Sequence, residues 1–554
     1  MKRYISLLGN LLSGRVSSWI VLLVCIGFKS ILIFFFTFTG RDKIYHLSAG
    51  YNLLHGKGWT NSFFYFGSLD KEVLEPFCFW PPGYGLLMVP FQFVFGNNLY
   101  LATGIFETIC FIVFILLCRA ILRTQHLTNG SINISTILIA FSSHLFIEDS
   151  LGTDLPGICF LLGFLYCSIR LLDENSAKKK MIRFGLLGGV CLFMAAFIRF
   201  LYIPVGLFSA IILFLRVVFR KNYKSVAGIL ACVFTGVPLM LAAMYFQKMS
   251  CGSSVHLGAE QTRGVFWENL LHWYPSVVSS FLNVSFVATL VDKVNVFNYI
   301  QAINILSWVN LGACFFLCWL LFIYLRNSAF KLQDIPRRSF NILGGIICFV
   351  ITGVLGFLSF TTKSQVFFNG SHWTFINEGR YFGFVTVFVQ LLFLVKLSKY
   401  RADSTQGRFS SIIVYSLFTL MVLNSLHEFY FSTKVALNFS AMKKEVRREQ
   451  DYVYFEKLLA KTKTQYPEHE ILVVASDRYF PLMASMNEAK GIGNPYKIND
   501  DDWRLPASSI MITVISSEEV NKYEKYLQVN KPSLIVTIAG KYFYEQGQPS
   551  LKKD

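Results

Sequence analysis

The chain has 554 residues and a formal net charge of +18, with 54% hydrophobic, 16% aromatic and 15% charged residues and a mean hydropathy of +0.49. Because soluble domains carry about a quarter charged residues, this composition excludes an ordinary soluble protein and predicts a polytopic α-helical membrane protein. The basic residues fall mainly in short loops between apolar runs. They therefore follow the positive-inside rule of membrane topology and do not indicate a nucleic-acid-binding face.

The first apolar run sets the predicted topology. Trp19–Thr39 is long enough to span ~30 Å of hydrocarbon, follows a short basic segment and lacks a small-residue cleavage site. We therefore predict a retained helix with a cytoplasmic N-terminus. Residues 40–97 then form the first exterior loop. Within it, Pro82–Phe95 is short and interrupted by Pro90, which favours a re-entrant or interfacial element over a full crossing.

Later apolar runs raise the predicted number of crossings to about eleven. Lys and Arg are denser in the segments that this count places inside, as the positive-inside rule requires. Further exterior loops are predicted at 148–152, 247–299 and 361–381, the second of them with an interfacial aromatic helix. The remaining predicted crossings are Asn98–Leu122, Ile132–Ile147, Thr153–Leu172, Phe184–Ile198, Ile203–Phe219, Val226–Phe246, Ile300–Leu325, Ile342–Phe360, Phe382–Val395 and Ile412–Tyr430.

The composition changes after the last crossing. We assign residues 1–431 to a transmembrane domain and 432–554 to a small exterior α/β domain, because charged residues return there and strand-like runs alternate with helical patterns. One helical pattern, Glu518–Leu527, follows a serine pair that can cap it. The strand-like runs are Ile471–Ala475, Ser509–Ile515 and Ser533–Ile538.

The cysteines point to packing more than to chemistry. Most of the 12 lie within apolar runs, where cysteine commonly acts as a small hydrophobic residue. Two, Cys78 and Cys251, fall in predicted exterior segments. The sequence leaves open whether these two form a disulfide, and so it does not fix the redox compartment.

Ionisable residues gather at the predicted exterior ends of the crossings. Asp42 follows the first helix, in a polar and aromatic loop. Charges near the hydrocarbon boundary are costly and are usually paired or functional, so a bundle that brings such groups together would form a polar site. The alternative for Asp42 is an ordinary helix-end residue in the membrane interface. The other exterior-end charges are Glu75, Glu148, Asp149, Arg199, Glu378 and Arg380.

The loop motifs resemble those of a known superfamily. The run DKIYHLSAGYNLLHGKGW at Asp42 to Trp59, followed by WPPGYGLL at Trp80 to Leu87, resembles the first exterior loop of glycosyltransferase C (GT-C) enzymes. Bacterial protein O-mannosyltransferases and aminoarabinose transferases are the members it is most similar to. Three further features agree with this resemblance: the acidic pair Glu148-Asp149, the glycine-rich run from Gly185 to Arg199, and the sequence Glu378-Gly-Arg380-Tyr381.

This resemblance implies a reaction and a location. A GT-C enzyme in a bacterial inner membrane would move a sugar from a polyprenyl-phosphate donor to a lipid, glycan or protein acceptor on the exterior face. Asp42 would be the base or would orient the acceptor, and Arg199 and Arg380 would contact the phosphate, because guanidinium groups match phosphate oxygens bidentately. His46, one helical turn beyond Asp42, would support the acid or have no role. Tyr381 belongs to the late motif.

Metal dependence stays open at this stage. In metal-dependent relatives, acidic residues of the first two exterior loops hold a divalent cation, and here these residues would be Asp42, Glu148 and Asp149. The adjacent Glu-Asp pair replaces the spaced acidic pair of those relatives, which weighs against a metal. No cofactor is certain.

Two other membrane functions are possible alternatives to a GT-C glycosyltransferase. A lipid-linked polysaccharide polymerase or ligase would also place Arg and acidic groups on the exterior face, but such enzymes tend to use a large late loop. A secondary transporter would place charges within the crossings and show symmetric halves. We expect nearly charge-free crossings, which disfavours a transporter. A non-catalytic scaffold is the remaining option.

Overall fold

Long apolar helices make up most of the described chain. In the computed structural model, the residues described are 12–35, 41–65, 68–78, 80–96, 98–142, 154–171, 177–199, 223–251, 275–330, 366–368, 371–373, 383–399, 408–437, 450–493, 509–516, 533–538 and 541–547, with seven single positions between 202 and 213. The helices are α1 (Arg15–Phe35), α2 (Arg41–Leu54), α3 (Gly83–Phe95), α4 (Leu99–Thr124), α5 (Asn129–Ser142), α6 (Asp154–Leu171), α7 (Lys178–Ile198), α8 (Tyr223–Cys251), α9 (Ser276–Ser279), α10 (Val284–Lys293), α11 (Tyr299–Phe330), α12 (Gly383–Lys399), α13 (Arg408–Leu437), α14 (Gln450–Gln465) and α15 (Tyr479–Met486). The strands are β1 (Thr60–Phe63), β2 (Val73–Pro76), β3 (Val366–Phe368), β4 (Ser371–Trp373), β5 (Glu470–Ala475), β6 (Lys490–Gly491), β7 (Ser509–Ser516), β8 (Ser533–Ile538) and β9 (Lys541–Gly547).

The apolar composition of the helices fits a membrane. Among the described residues, six helices are long and apolar enough to cross a bilayer, and four shorter apolar helices accompany them. Large hydrophobic side chains such as Leu23, Phe234 and Leu423 stay exposed, as expected where hydrocarbon takes the place of water. The chain is therefore a polytopic membrane protein. The count of about eleven crossings stays a prediction.

The helix bounds agree closely with the sequence analysis. Each predicted crossing whose residues are all described is a helix or lies mostly within one. Pro82–Phe95 also forms a helix, with Pro90 inside it. The predicted crossing at 342–360 lies outside the described residues, and that at 203–219 is described only at single positions.

The chain divides into two compact units. Unit 1 comprises residues 1–35 and 107–438, and unit 2 comprises 36–106 and 439–554. The first predicted exterior loop and the C-terminal segment therefore fold together. That both segments lie outside the membrane stays a prediction.

In unit 1, α7 and α8 pack unusually closely. A Cβ on Gly185 would come within 2.0 Å of the Gly228 carbonyl oxygen, and one on Gly189 within 2.5 Å of the Cys232 carbonyl oxygen. Because only glycine permits such an approach, the glycine-rich run is a helix-packing surface.

Buried polar side chains in unit 1 satisfy the backbone of the short helix α9. Asn310 accepts from an α9 N–H group at 2.8 Å, Thr386 donates to the Ser276 carbonyl at 3.2 Å, and Gln390 donates to the Ser280 carbonyl at 3.1 Å. All three side chains are fully buried. Irregular backbone within a membrane bundle requires such partners, because no water is there to bind it.

Unit 2 is built on a mixed five-stranded sheet with the order β6-β5-β7-β9-β8. The pairs β5–β6 and β5–β7 are parallel, and β7–β9 and β8–β9 are antiparallel. The three strand-like runs of the sequence analysis are β5, β7 and β8. Two strands, β6 and β9, were not predicted, because one spans two residues and the other carries a charged and aromatic sequence.

The early loop joins this sheet. Strand β1 of the β1–β2 hairpin is followed by Phe64, whose N–H donates to the Gly491 carbonyl at 2.8 Å and whose carbonyl accepts from the Gly493 N–H at 2.9 Å. A Cβ on Gly491 would lie 2.0 Å from the Pro481 carbonyl oxygen. Gly491 therefore serves close backbone packing.

The cysteines differ in state. Cys78 and Cys251 are each disulfide-bonded. The cysteines of the described residues that form no disulfide are Cys25, Cys110, Cys118, Cys159, Cys167, Cys191, Cys232 and Cys314. All but Cys191 are buried, as expected of small hydrophobic residues in helices.

Candidate active site

Asp42 occupies the start of a helix. The first long apolar helix ends at Phe35, and Asp42 is the second residue of α2. This placement agrees with a position just beyond the end of a membrane crossing. The predicted partners Glu148, Asp149, Glu378, Arg380 and Tyr381 lie outside the described residues.

His46 lies in an aromatic enclosure of unit 2. Its ring centroid is 4.8 Å from that of Phe77, 6.2 Å from that of Trp80 and 5.3 Å from that of Tyr84. The imidazole is fully buried, and neither ring nitrogen has a hydrogen-bond partner among the described residues. Burial lowers the pKa of His46 to about 3, so the ring is neutral at physiological pH. The predicted support for Asp42 stays a prediction.

Glu75 belongs to a half-exposed polar cluster in unit 2. Its Oε1 accepts from the Tyr65 hydroxyl at 2.6 Å, and its Oε2 lies 3.2 Å from Arg478 Nη1. Arg478 also hydrogen-bonds Tyr45 and lies over the Phe63 ring at 5.3 Å. Burial and the hydrogen bond to Glu75 raise the pKa of Tyr65 to about 12. Glu75, one of the predicted exterior-end charges, thus pairs with a cation that sequence reasoning did not single out.

Arg199 forms an ion pair with Asp154. Arg199 caps the C-terminus of α7, and Asp154 begins α6. Both side chains are largely buried, at 12% and 14% exposure. Sequence reasoning missed Asp154, although its position at the start of an apolar run is the same signal that identified the neighbouring acids. The charge of Arg199 is therefore balanced within unit 1.

Charges also lie inside the apolar helices, which corrects one expectation. Lys29 in α1, Glu107 in α4 and Glu428 in α13 are all buried. Lys29 Nζ and Glu428 Oε1 are 2.5 Å apart. The prediction of nearly charge-free crossings was therefore wrong. It relied on the average hydropathy of each apolar run, and a single charged residue changes that average little.

A metal site is not assembled by the described residues. No group of three or more His, Cys, Asp or Glu side chains among them could hold an ion. The predicted ligands Asp42, Glu148 and Asp149 have side chains outside the described set.

Solved structures give the following likenesses. The chain is similar to ArnT from Cupriavidus metallidurans bound to undecaprenyl phosphate, with 9% identity, a TM-score of 0.48 and coverage of 96% of this chain and 99% of that one. It is also similar to an oligosaccharyltransferase from Archaeoglobus fulgidus tethered to an acceptor peptide, with 12% identity, a TM-score of 0.48 and coverage of 97% and 75%. A third likeness is to the archaeal oligosaccharyltransferase AglB from the same organism in complex with an inhibitory peptide and a dolichol-phosphate, with 12% identity and a TM-score of 0.40 over 97% of this chain and 75% of that one.

No family model matches the chain, and no curated protein does.

Proposed function

We propose that this protein is a membrane glycosyltransferase that moves a sugar from a polyprenyl-phosphate donor to a lipid, glycan or protein acceptor on the exterior face. One observation carries the proposal: Asp42 lies in the first turn of a helix that starts shortly after the end of α1, which is long and apolar enough to cross a membrane. A residue that follows a membrane crossing this closely in the sequence falls in the headgroup region, where the phosphate of a lipid-linked donor would lie. The GT-C-like loop sequence around Asp42 supports this role.

The proposed chemistry is a single displacement with inversion. The acceptor hydroxyl attacks the anomeric carbon, the bond from that carbon to the phosphate oxygen breaks, and the polyprenyl phosphate leaves with the electron pair. Asp42 takes the hydroxyl proton or orients the acceptor. Because the phosphate is already a good leaving group, the site needs a cation to stabilise the charge that develops on it.

Arg380 is the main candidate for that cation. Arg199 is paired with Asp154, so its charge is already neutralised and we assign it to holding α6 and α7 together at one end. Arg380 follows Glu378 and precedes Tyr381 just before α12. We keep Glu148 and Asp149 as substrate-binding candidates and Glu75 as an organiser of unit 2 through Arg478.

A secondary transporter is the second candidate function. Buried charges inside membrane helices often mark ion or substrate pathways, and Lys29, Glu107 and Glu428 are such charges. The close pairing of Lys29 with Glu428 reduces this support. Purified protein in liposomes that moves a labelled solute but transfers no sugar would favour the transporter.

The Asp42 proposal predicts a loss of sugar transfer on substitution. We expect Asp42→Asn to lower the rate with a lipid-phosphate sugar by about a hundredfold or more, the range of general base catalysis, because the amide takes no proton. The measurement is turnover of purified protein in detergent, with thermal unfolding as the check on folding. Asp70→Asn, a change of an exposed acid in the same loop, serves as the control and should keep the wild-type rate. An Asp42→Asn protein that folds normally and transfers sugar at the wild-type rate would contradict the assignment.

A further inference from the structure

A buried ion pair joins the first and last apolar helices of unit 1. Lys29 Nζ lies 2.5 Å from Glu428 Oε1, and the two side chains are 0% and 5% exposed. Two buried charges lose their hydration, which their attraction and hydrogen bonds must offset. Apolar residues would often fill the same space at lower cost, and in some proteins a buried polar or ionic group is kept because it specifies one geometry.

A cluster of three phenylalanine rings also joins α1, α5 and α13. Phe28 stacks on Phe429 with centroids 5.5 Å apart, and Phe141, at the end of α5, lies 6.0 Å from Phe28 and 5.4 Å from Phe429. Phe28 and Phe429 are the chain neighbours of Lys29 and Glu428. Because both charged side chains are buried, the local dielectric is low, which strengthens the attraction between the charges.

The two helices that meet at the pair are also those that lead into unit 2. The chain passes from α1 into residues 36–106 and, after α13, into residues 439–554, and these two segments make up unit 2. Lys29 is six residues before the end of α1 at Phe35, about 9 Å at 1.5 Å per residue. The ion pair therefore holds together the two helices from which the chain passes into the two segments of unit 2.

We propose that the Lys29–Glu428 pair is a positioning device for the glycosyl transfer proposed above. It fixes the register of α1 against α13 and so fixes the point from which the chain leads to Asp42. Lys29 and Glu428 are positioning residues in this inference, and neither touches the substrate. The inference rests on the proposed function, since misplacement of a reacting group by about 1 Å can cost about a hundredfold in rate.

Charge reversal tests this inference. The variants are Lys29→Met, Glu428→Gln and the exchange K29E/E428K, with Lys434→Met, an exposed lysine of α13, as the control. We expect each single change to lower kcat by about tenfold or more with little change in the KM for the donor, because geometry and not binding is altered. The exchange should restore most of the rate, and the control should not change it.

The apolar double variant K29M/E428L addresses the case in which the single variants do not fold. Removal of both charges leaves no buried charge unpaired, so the double variant should be as thermally stable as the wild type. If the pair sets register, this stable protein stays slow. A wild-type rate in K29M/E428L or in Lys29→Met overturns the inference. So does a folded exchange variant that stays as slow as the single variants, because Lys29 would then act in the chemistry itself.

A second readout is independent of activity. Spin labels at Ile31 and Leu437, both exposed, report the distance between α1 and α13. The distance distribution should broaden in Lys29→Met and narrow again in the exchange variant. An unchanged distribution in Lys29→Met overturns the inference. The wild type could transfer no sugar while this distance responds as expected. In that case the proposed function fails, but the conclusion that the ion pair fixes α1 against α13 holds.

Discussion

His46 is a buried imidazole whose neighbours are aromatic rings. Burial lowers its pKa to about 3 from 6.5. Because the folded pKa lies below the unfolded one, this residue contributes its full stability above pH ~6.5, and the contribution is lost as the pH falls toward 3. Acid therefore destabilises unit 2 at this position.

Substitution of His46 tests this pH dependence. Between pH 7.5 and pH 5 we expect the wild type to lose about 2 kcal/mol of unfolding free energy at this site, at about 1.4 kcal/mol per pKa unit. His46→Leu should remove that component, because leucine has a similar volume and no charge to bury. Thermal unfolding followed by tryptophan fluorescence at both pH values measures it. His55→Leu, at an exposed position, should keep the wild-type slope, and an equal slope in His46→Leu would show that the ring does not titrate as described.

Single residues show where sequence reasoning reaches its limit. Lys29 and Glu428 are visible as isolated charges in apolar runs, but their pairing depends on how the first and last helices pack. The same holds for Arg478, which meets Glu75 from the far end of the chain. The local sequence identifies a charged residue whose burial is unfavourable. Only the tertiary contacts show which residue of opposite charge pairs with it.

At the scale of elements, the α7–α8 contact depends on glycine. Helix bounds and three of the sheet's strands follow from periodicity and composition, because those signals are local. The close approach of α7 to α8 gives the glycine-rich run a packing role that its sequence alone does not specify.

Alanine at Gly185 tests this contact. Its Cβ would lie 2.0 Å from the Gly228 carbonyl oxygen, so the helices must separate, and we expect a loss of about 1–3 kcal/mol, typical of overpacking. Gly312→Ala is the matched control, since nothing lies within 4 Å of its Cβ in another apolar helix. There alanine should stabilise by about 0.5–1 kcal/mol through helix propensity. Thermal unfolding in detergent measures both, and equal stability of the two variants would contradict the close contact.

At the scale of the whole molecule, the predicted orientation of the chain in the membrane depends on every crossing being counted correctly. One miscounted crossing inverts every later loop, and two predicted crossings have few or no described residues. The basic N-terminal segment predicts that the start of α1 lies on the cytoplasmic side, and the polar loop around Asp42 predicts that its end lies on the exterior side.

Thiol labelling tests the orientation. Lys71 in the first loop and Lys178 at the start of α7 are both exposed, and each can be replaced by cysteine. A membrane-impermeant maleimide applied to intact cells should label Lys71→Cys and spare Lys178→Cys, with the unmodified protein as background. Labelling of Lys178→Cys alone would invert the topology and place Asp42 on the cytosolic side.

The pairing of Phe64 with the strand end at Gly491–Gly493 has a consequence for biosynthesis. Residues 36–106 emerge from the ribosome several hundred residues before their partner segment, and a lone two-stranded hairpin is marginally stable in water. The early loop therefore lacks these partners until residues 470–493 have been synthesised. Premature termination anywhere before β5 would leave this loop without its sheet and make the truncated product a target for quality-control proteases.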